Sequence, residues 1–384
     1  MTAFLQAIGI STAVVLSAPF MGQIRAWLRA AFPGAFVAIV GTAVAIALGT
    51  AVLMAIAPIR DRRIARYGAI AAAVLLGVAY NAAFATGLAE TDAVERVHFI
   101  EYGLIAFLFY RAWRHRADPS IFMLPILAGV IVGTCEEWFQ WFIPVRVGEA
   151  RDVALNLVAV ACGLLFSVGV NPPATFIWQL RAGSATRVGL LASATVVILA
   201  SFVHEVHLGH VIREDDIGSF KSRYRAEQLH ALAADRTERW RRKPPLTFRR
   251  LSREDQYMDE GLWHVRRRNE AWTAGDYATA SRENRILEAF FAPVLDTPSY
   301  VSQTGHRWHP DQRALAEQLA ASANDGFMST AEPLPILVWS KAVFWSLVVL
   351  AAAGILAAAG IADLRGPRKA GLLVGDVQKD DVYK

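Results

Sequence analysis

Cysteine is nearly absent from this chain. Its 384 residues include two, Cys135 and Cys162, and both fall inside apolar runs. No disulfide framework and no cysteine metal site follows from such a pair. Charge is thin as well: 19% of residues are Asp, Glu, Lys or Arg, against about 25% in an average soluble domain. Lysine is scarce while alanine and arginine are plentiful, a compositional pointer to a GC-rich bacterial genome. There is no GxSxG elbow, no P-loop, no dinucleotide fingerprint, no HExxH and no Cys/His quartet. The enzyme classes those motifs mark therefore have no footing here. No internal repeat or low-complexity tract stands out, and no cofactor is expected.

What the chain has instead is long apolar stretches. Hydrophobic residues make up 54% of it and the mean hydropathy is +0.33. A bilayer-spanning helix needs about 20 mostly apolar residues. Eight stretches qualify, at roughly 3–24, 34–57, 67–88, 97–114, 121–142, 152–170, 187–204 and 336–360. The first contains Pro19, and the fourth carries His98 and Glu101 near its start. No basic residue precedes the first stretch and no small-residue cleavage site follows it, so it reads as a retained span rather than a signal peptide.

The expected fold is an all-α integral membrane protein of about eight transmembrane helices, with a helical extracytoplasmic domain before the last span. The segments are 1–64, 65–170, 171–204, 205–335, 336–362 and a tail over 363–384.

Loop charge sets the orientation. One set of loops holds Arg60, Arg62, Arg63 and Arg66, then Arg111, Arg114 and Arg116, then Arg181 and Arg187; the tail adds Arg365, Arg368 and Lys369. The alternate loops hold only Arg25, Arg29, Arg96, Arg146 and Arg151. Both termini are therefore expected in the cytoplasm, and residues 205–335 outside a bacterial inner membrane. That outer segment is nearly balanced, with 19 basic and 20 acidic residues. The pI near 9.3 then reports membrane topology, and nucleic acid is not an expected partner.

Polar residues concentrate at one membrane level. Glu137 and Gln140 lie three apart at the outer end of the fifth span, and Asp152 and Asn156 four apart at the start of the sixth. Arg146 sits in the loop between, while His98, Glu101 and Tyr102 head the fourth span. Residues three or four apart share a helix face. Glu136 is about 100° round from Glu137, so the two are not expected to point centrally together. Ionisable groups inside a membrane usually face the bundle interior and pair. Two readings follow: an interfacial salt-bridge network, with Arg146 paired to Glu137 or Asp152, or a binding pocket for a polar head group, anion or proton. Trp138, Trp141 and Phe142 read as belt aromatics.

The run Glu137-x-x-Gln140, Arg146, Asp152-x-x-x-Asn156, preceded by Arg96-Val97-His98-Phe99, resembles the signature of the VanZ-like membrane proteins over about residues 65–170. Ala159 stands where a glycine is usual, with Gly163 one turn later, and Val147-Gly148 make an unusual loop. The resemblance implies a bacterial envelope setting and a polar site; with Glu101, which helix spacing adds, the candidate binding residues are His98, Glu101, Glu137, Gln140, Arg146, Asp152 and Asn156. It brings no reaction with it. The favoured expectation is a non-enzymatic envelope protein binding a lipid head group, a cell-wall precursor or a partner. The alternatives are a membrane enzyme on a lipid-linked substrate, with Glu137 or His98 as general base, and a structural or assembly subunit of a membrane complex.

Histidines 204, 207 and 210 read as polar positions on an interfacial helix rather than a metal site, because a spacing of three drifts round the helix. The following stretch, IREDDIGSFKSRYRAEQL, reads as a turn and a helix N-terminus rather than a phosphate loop. Helices are expected over 225–243, 250–274, from Asp276 and from Pro310, and the piece after Gly275 resembles half of a tetratricopeptide repeat. Arg266, Arg267 and Arg268 read as a solvated face or lipid contact. An envelope protein partner would bind through 205–335. Pro333 and Pro335 mark the return to the membrane, with Trp339 and Lys341 at the interface.

Overall fold

The computed structural model describes residues 2–143, 148, 150–215, 217–242, 253–298, 302, 304–320, 327–330 and 335–365. The chain is mostly helical. Its long helices are α1 (Thr2–Ala31), α2 (Phe36–Ile56), α3 (Arg63–Ala83), α4 (Ala89–Trp113), α5 (Ser120–Trp141), α6 (Ala150–Val170), α7 (Ser184–Val206) and, after the inserted domain, α13 (Lys341–Arg365). Among the described residues, seven of these are long and apolar enough to cross a membrane. The remaining expected span is α4. It is just as long but carries Glu90, Asp92, Glu95, Arg96 and Glu101 in its first half.

α4, α5 and α6 form the centre, and α5 also packs on α7 and α1. α2 and α13 lie at the periphery with most of their apolar surface uncovered. Small residues let the central helices meet. A Cβ placed on Gly163 of α6 would lie 2.6 Å from the Gly103 Cα of α4, the close approach that glycine permits between membrane helices. Around this crossing Tyr102, Ile105, Ala106, Phe109, Ala128, Ala159 and Val160 make the bundle core.

One end of the bundle is tied by helix-end hydrogen bonds. Asp118 accepts from the Ser120 backbone N–H at 2.9 Å, and from the Ser184 hydroxyl at 2.7 Å and the Arg181 N–H at 3.1 Å. It thus joins the starts of α5 and α7. Asp363 on α13 accepts from the backbone N–H groups of Gly183 and Thr186, placing a carboxylate at the positive end of α7. Arg66 on α3 donates to the carbonyls of Gly169 and Val170, which close α6.

The inserted domain contains β1 (His210–Glu214), β2 (Gly218–Ser222), α8 (Ala226–Arg242), α9 (Arg253–Ala274), α10 (Tyr277–Phe290), α11 (Ala292–Leu295), α12 (Pro310–Leu319) and β3 (Met328–Thr330). The helices fall where the sequence places them, with Asp276 capping α10 through Thr279 N–H and Pro310 in the first turn of α12. The stretch read as a turn and helix start does lead into α8 at Ala226, but its first part is a strand pair. β1 pairs antiparallel with β2, His210 opposite Ser222, and β3 joins β2 in parallel, Met328 opposite Ser219. The histidines therefore do not share a helix: α7 ends at Val206, His207 is its cap and His210 opens β1. Ile212 and Phe220 of the hairpin join Leu229, Tyr257, Leu262, Ile286, Phe290 and Phe291 in a separate core.

Arg268 also departs from expectation. It is buried, not solvated, while Arg267 pairs with Glu283 at 3.0 Å and Arg266 lies over the Trp263 ring.

Candidate functional site

The last two turns of α5 carry Glu136, Glu137 and Gln140, all of them buried. Their burial corrects the expectation that Glu136 and Glu137 would not both point inward. α5 is packed on several sides, so residues 100° apart on it both meet protein. The Gln140 amide nitrogen donates to Glu136 Oε1 at 3.0 Å and to Glu137 Oε1 at 3.3 Å. Tyr102 of α4 donates its hydroxyl to Glu136 Oε2 at 2.5 Å. His98, one turn before Tyr102, stacks on that ring with centroids 6.1 Å apart.

Asn156 enters from the second turn of α6 and is 0% exposed. Its amide lies against α5 at Gly133, where an added Cβ would come within 3.2 Å of Asn156 Nδ2 and 3.4 Å of Tyr102 Cε1. Gly133 is three residues before Glu136 and four before Glu137, so Asn156 faces the turn beneath the two carboxylates. Neither Nδ2 nor Oδ1 of Asn156 has a hydrogen-bond partner among the described residues, and the same is true of His98 Nδ1.

The structure brings His98, Glu137, Gln140 and Asn156 together through Glu136 and Tyr102. Glu101, half-buried, sits in the electrostatic reach of Tyr102. Asp152, also half-buried, lies in that of Arg151, Glu95 and Tyr80. Arg151 pairs with Glu95 at 2.9 Å, and Arg29 pairs with Glu90 nearer the α1 end. Arg146 lies outside the described residues. A Cβ on Gly148 would be 2.0 Å from the Glu137 carbonyl oxygen. Tyr102 and Glu136 were noticed in the sequence but not placed among the site residues. The signal for Tyr102 was its position four residues after His98, on one helix face.

The inserted domain sits on this end of α5. Arg223, just after β2, stacks over the Trp141 ring at 4.4 Å, donates to the Gln256 carbonyl at 2.8 Å and faces Glu260 at 3.5 Å. The Gln256 amide reaches the Trp141 carbonyl at 3.4 Å. Trp141, expected as a belt aromatic, is buried and docks the inserted domain.

A second buried polar set lies inside the domain. Glu283 accepts from Ser329 Oγ at 2.5 Å and is 2.7 Å from His264 Nδ1. The serine is bonded to the carboxylate and not to the histidine, so this is not the nucleophile–base–orienter order of a hydrolase. No group of three or more His, Cys, Asp or Glu suited to a metal occurs among the described residues.

Fold and site together define a bundle of long apolar helices with a buried carboxylate–amide knot at one end, capped by a small α+β domain. No family model, curated protein or solved structure matches the chain.

Proposed function

We propose that this chain is a VanZ-like, multi-pass bacterial envelope protein that binds a polar head group at the outer membrane–water interface without catalysing a reaction. The head group belongs to a lipid or a lipid-linked cell-wall precursor. In this reading α4 completes eight spans, both termini are cytoplasmic, and the knot and the inserted domain face outward. Asn156 carries the argument. A buried amide with both polar atoms unmatched costs about 1–3 kcal/mol per orphaned group, a burden that a bound polar ligand would relieve. Glu136, Glu137, Gln140 and Asn156 shape the site; Arg146, in the loop that follows, supplies the cation for a phosphate; His98, Glu101 and Asp152 tune the local charge.

Lipid and metabolite mass spectrometry on detergent-purified wild type and Arg146→Ala tests this. The wild type should retain a phosphate-bearing amphiphile that the variant loses while remaining folded. Identical retained lipids in two folded proteins would remove the reading and leave a salt-bridged helix end.

A further inference from the structure

The state of each polar atom in the knot restricts what the ligand can be. Tyr102 O–H is spent on Glu136, and the Gln140 amide N–H groups are spent on Glu136 and Glu137. Each Glu136 oxygen accepts one such bond and has capacity for another. Asn156, fully buried one turn below, presents an unmatched donor at Nδ2 and an unmatched acceptor at Oδ1. It makes no hydrogen bond to either carboxylate, so a group that satisfies its amide must offer both an acceptor and a donor.

An ammonium or a metal cation would serve the carboxylates and Oδ1 but leave the Nδ2 donor unmatched. A phosphate oxygen would serve Nδ2 and leave Oδ1 unmatched. A hydroxyl does both, accepting from Nδ2 while donating to a carboxylate. A second, neighbouring hydroxyl would donate to Oδ1. His98 Nδ1, likewise unmatched beside Tyr102, adds one more position of the same kind. We infer that the site takes vicinal hydroxyls: the glycerol or sugar portion of a head group enters between Asn156 and Glu136. This rests on the head-group reading above and names the chemistry of its ligand.

The test uses the full-length protein in phosphatidylcholine nanodiscs doped equally with phosphatidylglycerol and phosphatidylethanol. The two dopants share the phosphate charge, and only the first has free hydroxyls. After detergent extraction, native mass spectrometry reads the retained lipid. Wild type should retain phosphatidylglycerol over phosphatidylethanol by about tenfold or more, since a site built for a hydroxyl rejects its deoxy analogue. Asn156→Leu should bring that ratio close to one, whereas Arg146→Ala should reduce retention of both lipids. If the leucine variant does not fold, Glu136→Gln provides the second reading and should also flatten the ratio.

Equal retention by wild type overturns the inference and leaves the head-group reading standing, with water filling the gap. Retention of neither lipid removes both. A preference unchanged in folded Asn156→Leu and Glu136→Gln places the hydroxyl contact elsewhere and overturns this site. Free glycerol phosphate as competitor identifies the source: displacement of phosphatidylglycerol assigns the hydroxyls to a soluble ligand, and no displacement assigns them to the lipid.

Discussion

Arg268 shows what a single side chain does in the inserted domain. Its guanidinium donates to Asn284 Oδ1 at 2.9 Å, the His306 carbonyl at 2.7 Å and Asn269 Oδ1 at 3.2 Å, and stacks 4.7 Å from the Trp308 ring. Burial pulls its pKa down to about 10. Asn284 in turn donates to Glu288 at 3.1 Å, and Glu288 pairs with Arg313 at 3.1 Å, so one arginine organises α9, α10 and α12. Arg268→Ala should cost about 3 kcal/mol, because it orphans buried acceptors and removes packing. Arg268→Lys should recover only part, since an ammonium lacks the planar fork. Urea unfolding followed by protease sensitivity of the domain checks both; a lysine variant as stable as wild type would show that the fork geometry is irrelevant. The burial of Arg268 was not legible in the sequence. Three consecutive arginines point in three directions on a helix, and only the tertiary packing decides which one is covered.

At the scale of elements, the α4–α6 crossing makes an asymmetric prediction. A Cβ on Gly163 would meet the Gly103 Cα at 2.6 Å, its carbonyl oxygen at 2.7 Å and the Ala106 Cβ at 2.9 Å; one on Gly103 would meet only the Gly163 Cα, at 4.0 Å. Gly163→Ala should therefore destabilise the bundle by about 1–3 kcal/mol, and Gly103→Ala should be close to neutral. Thermal melting in one detergent compares them, and equal effects would contradict the crossing. The long helices were legible because of their apolar length. The small sheet was not. β1 and β2 are five residues each with one or two buried positions, and the partner β3 lies more than 100 residues further on. Pairing at that separation leaves no local pattern to read. The knot was legible in part: spacing of three and four marked Glu137 with Gln140 and His98 with Tyr102. The inward placement of Glu136 depended on how many neighbours surround α5.

In the whole molecule the inserted domain joins the bundle through a two-segment neck, besides the docking of Arg223 and Gln256 on Trp141. The chain leaves the bundle at His207 and returns at Leu337, and the two strands lie side by side: Leu337 N–H donates to the His207 carbonyl at 2.7 Å and Gly209 N–H to the Leu337 carbonyl at 3.1 Å. The His207 ring fixes this neck through Nδ1, 3.0 Å from the Pro335 carbonyl. A carbonyl only accepts, so Nδ1 carries the proton and Nε2 is left as a buried lone pair without a partner. Burial holds the His207 pKa below its usual value; the Pro335 hydrogen bond pulls the other way, and the charge of Arg223 adds to the lowering. His210 is lowered by burial and by Arg225, and His306 by burial and by Arg268. A histidine with a depressed folded pKa gives stability that is present above its unfolded pKa, near 6.5, and is lost as the pH falls below that value. The inserted domain and its neck should thus loosen as the pH falls below about 6.5, while α4, α5 and α6 stay protected. Hydrogen–deuterium exchange at pH 7.5 and 5.5 would locate the change in 207–222 and 335–337. His207→Asn keeps a donor for the Pro335 carbonyl but cannot titrate there, so it should remove the neck's share of the acid response and leave that of His210 and His306. An acid response at the neck that is unchanged in His207→Asn would show that the imidazole is not what links the two parts of the chain to pH.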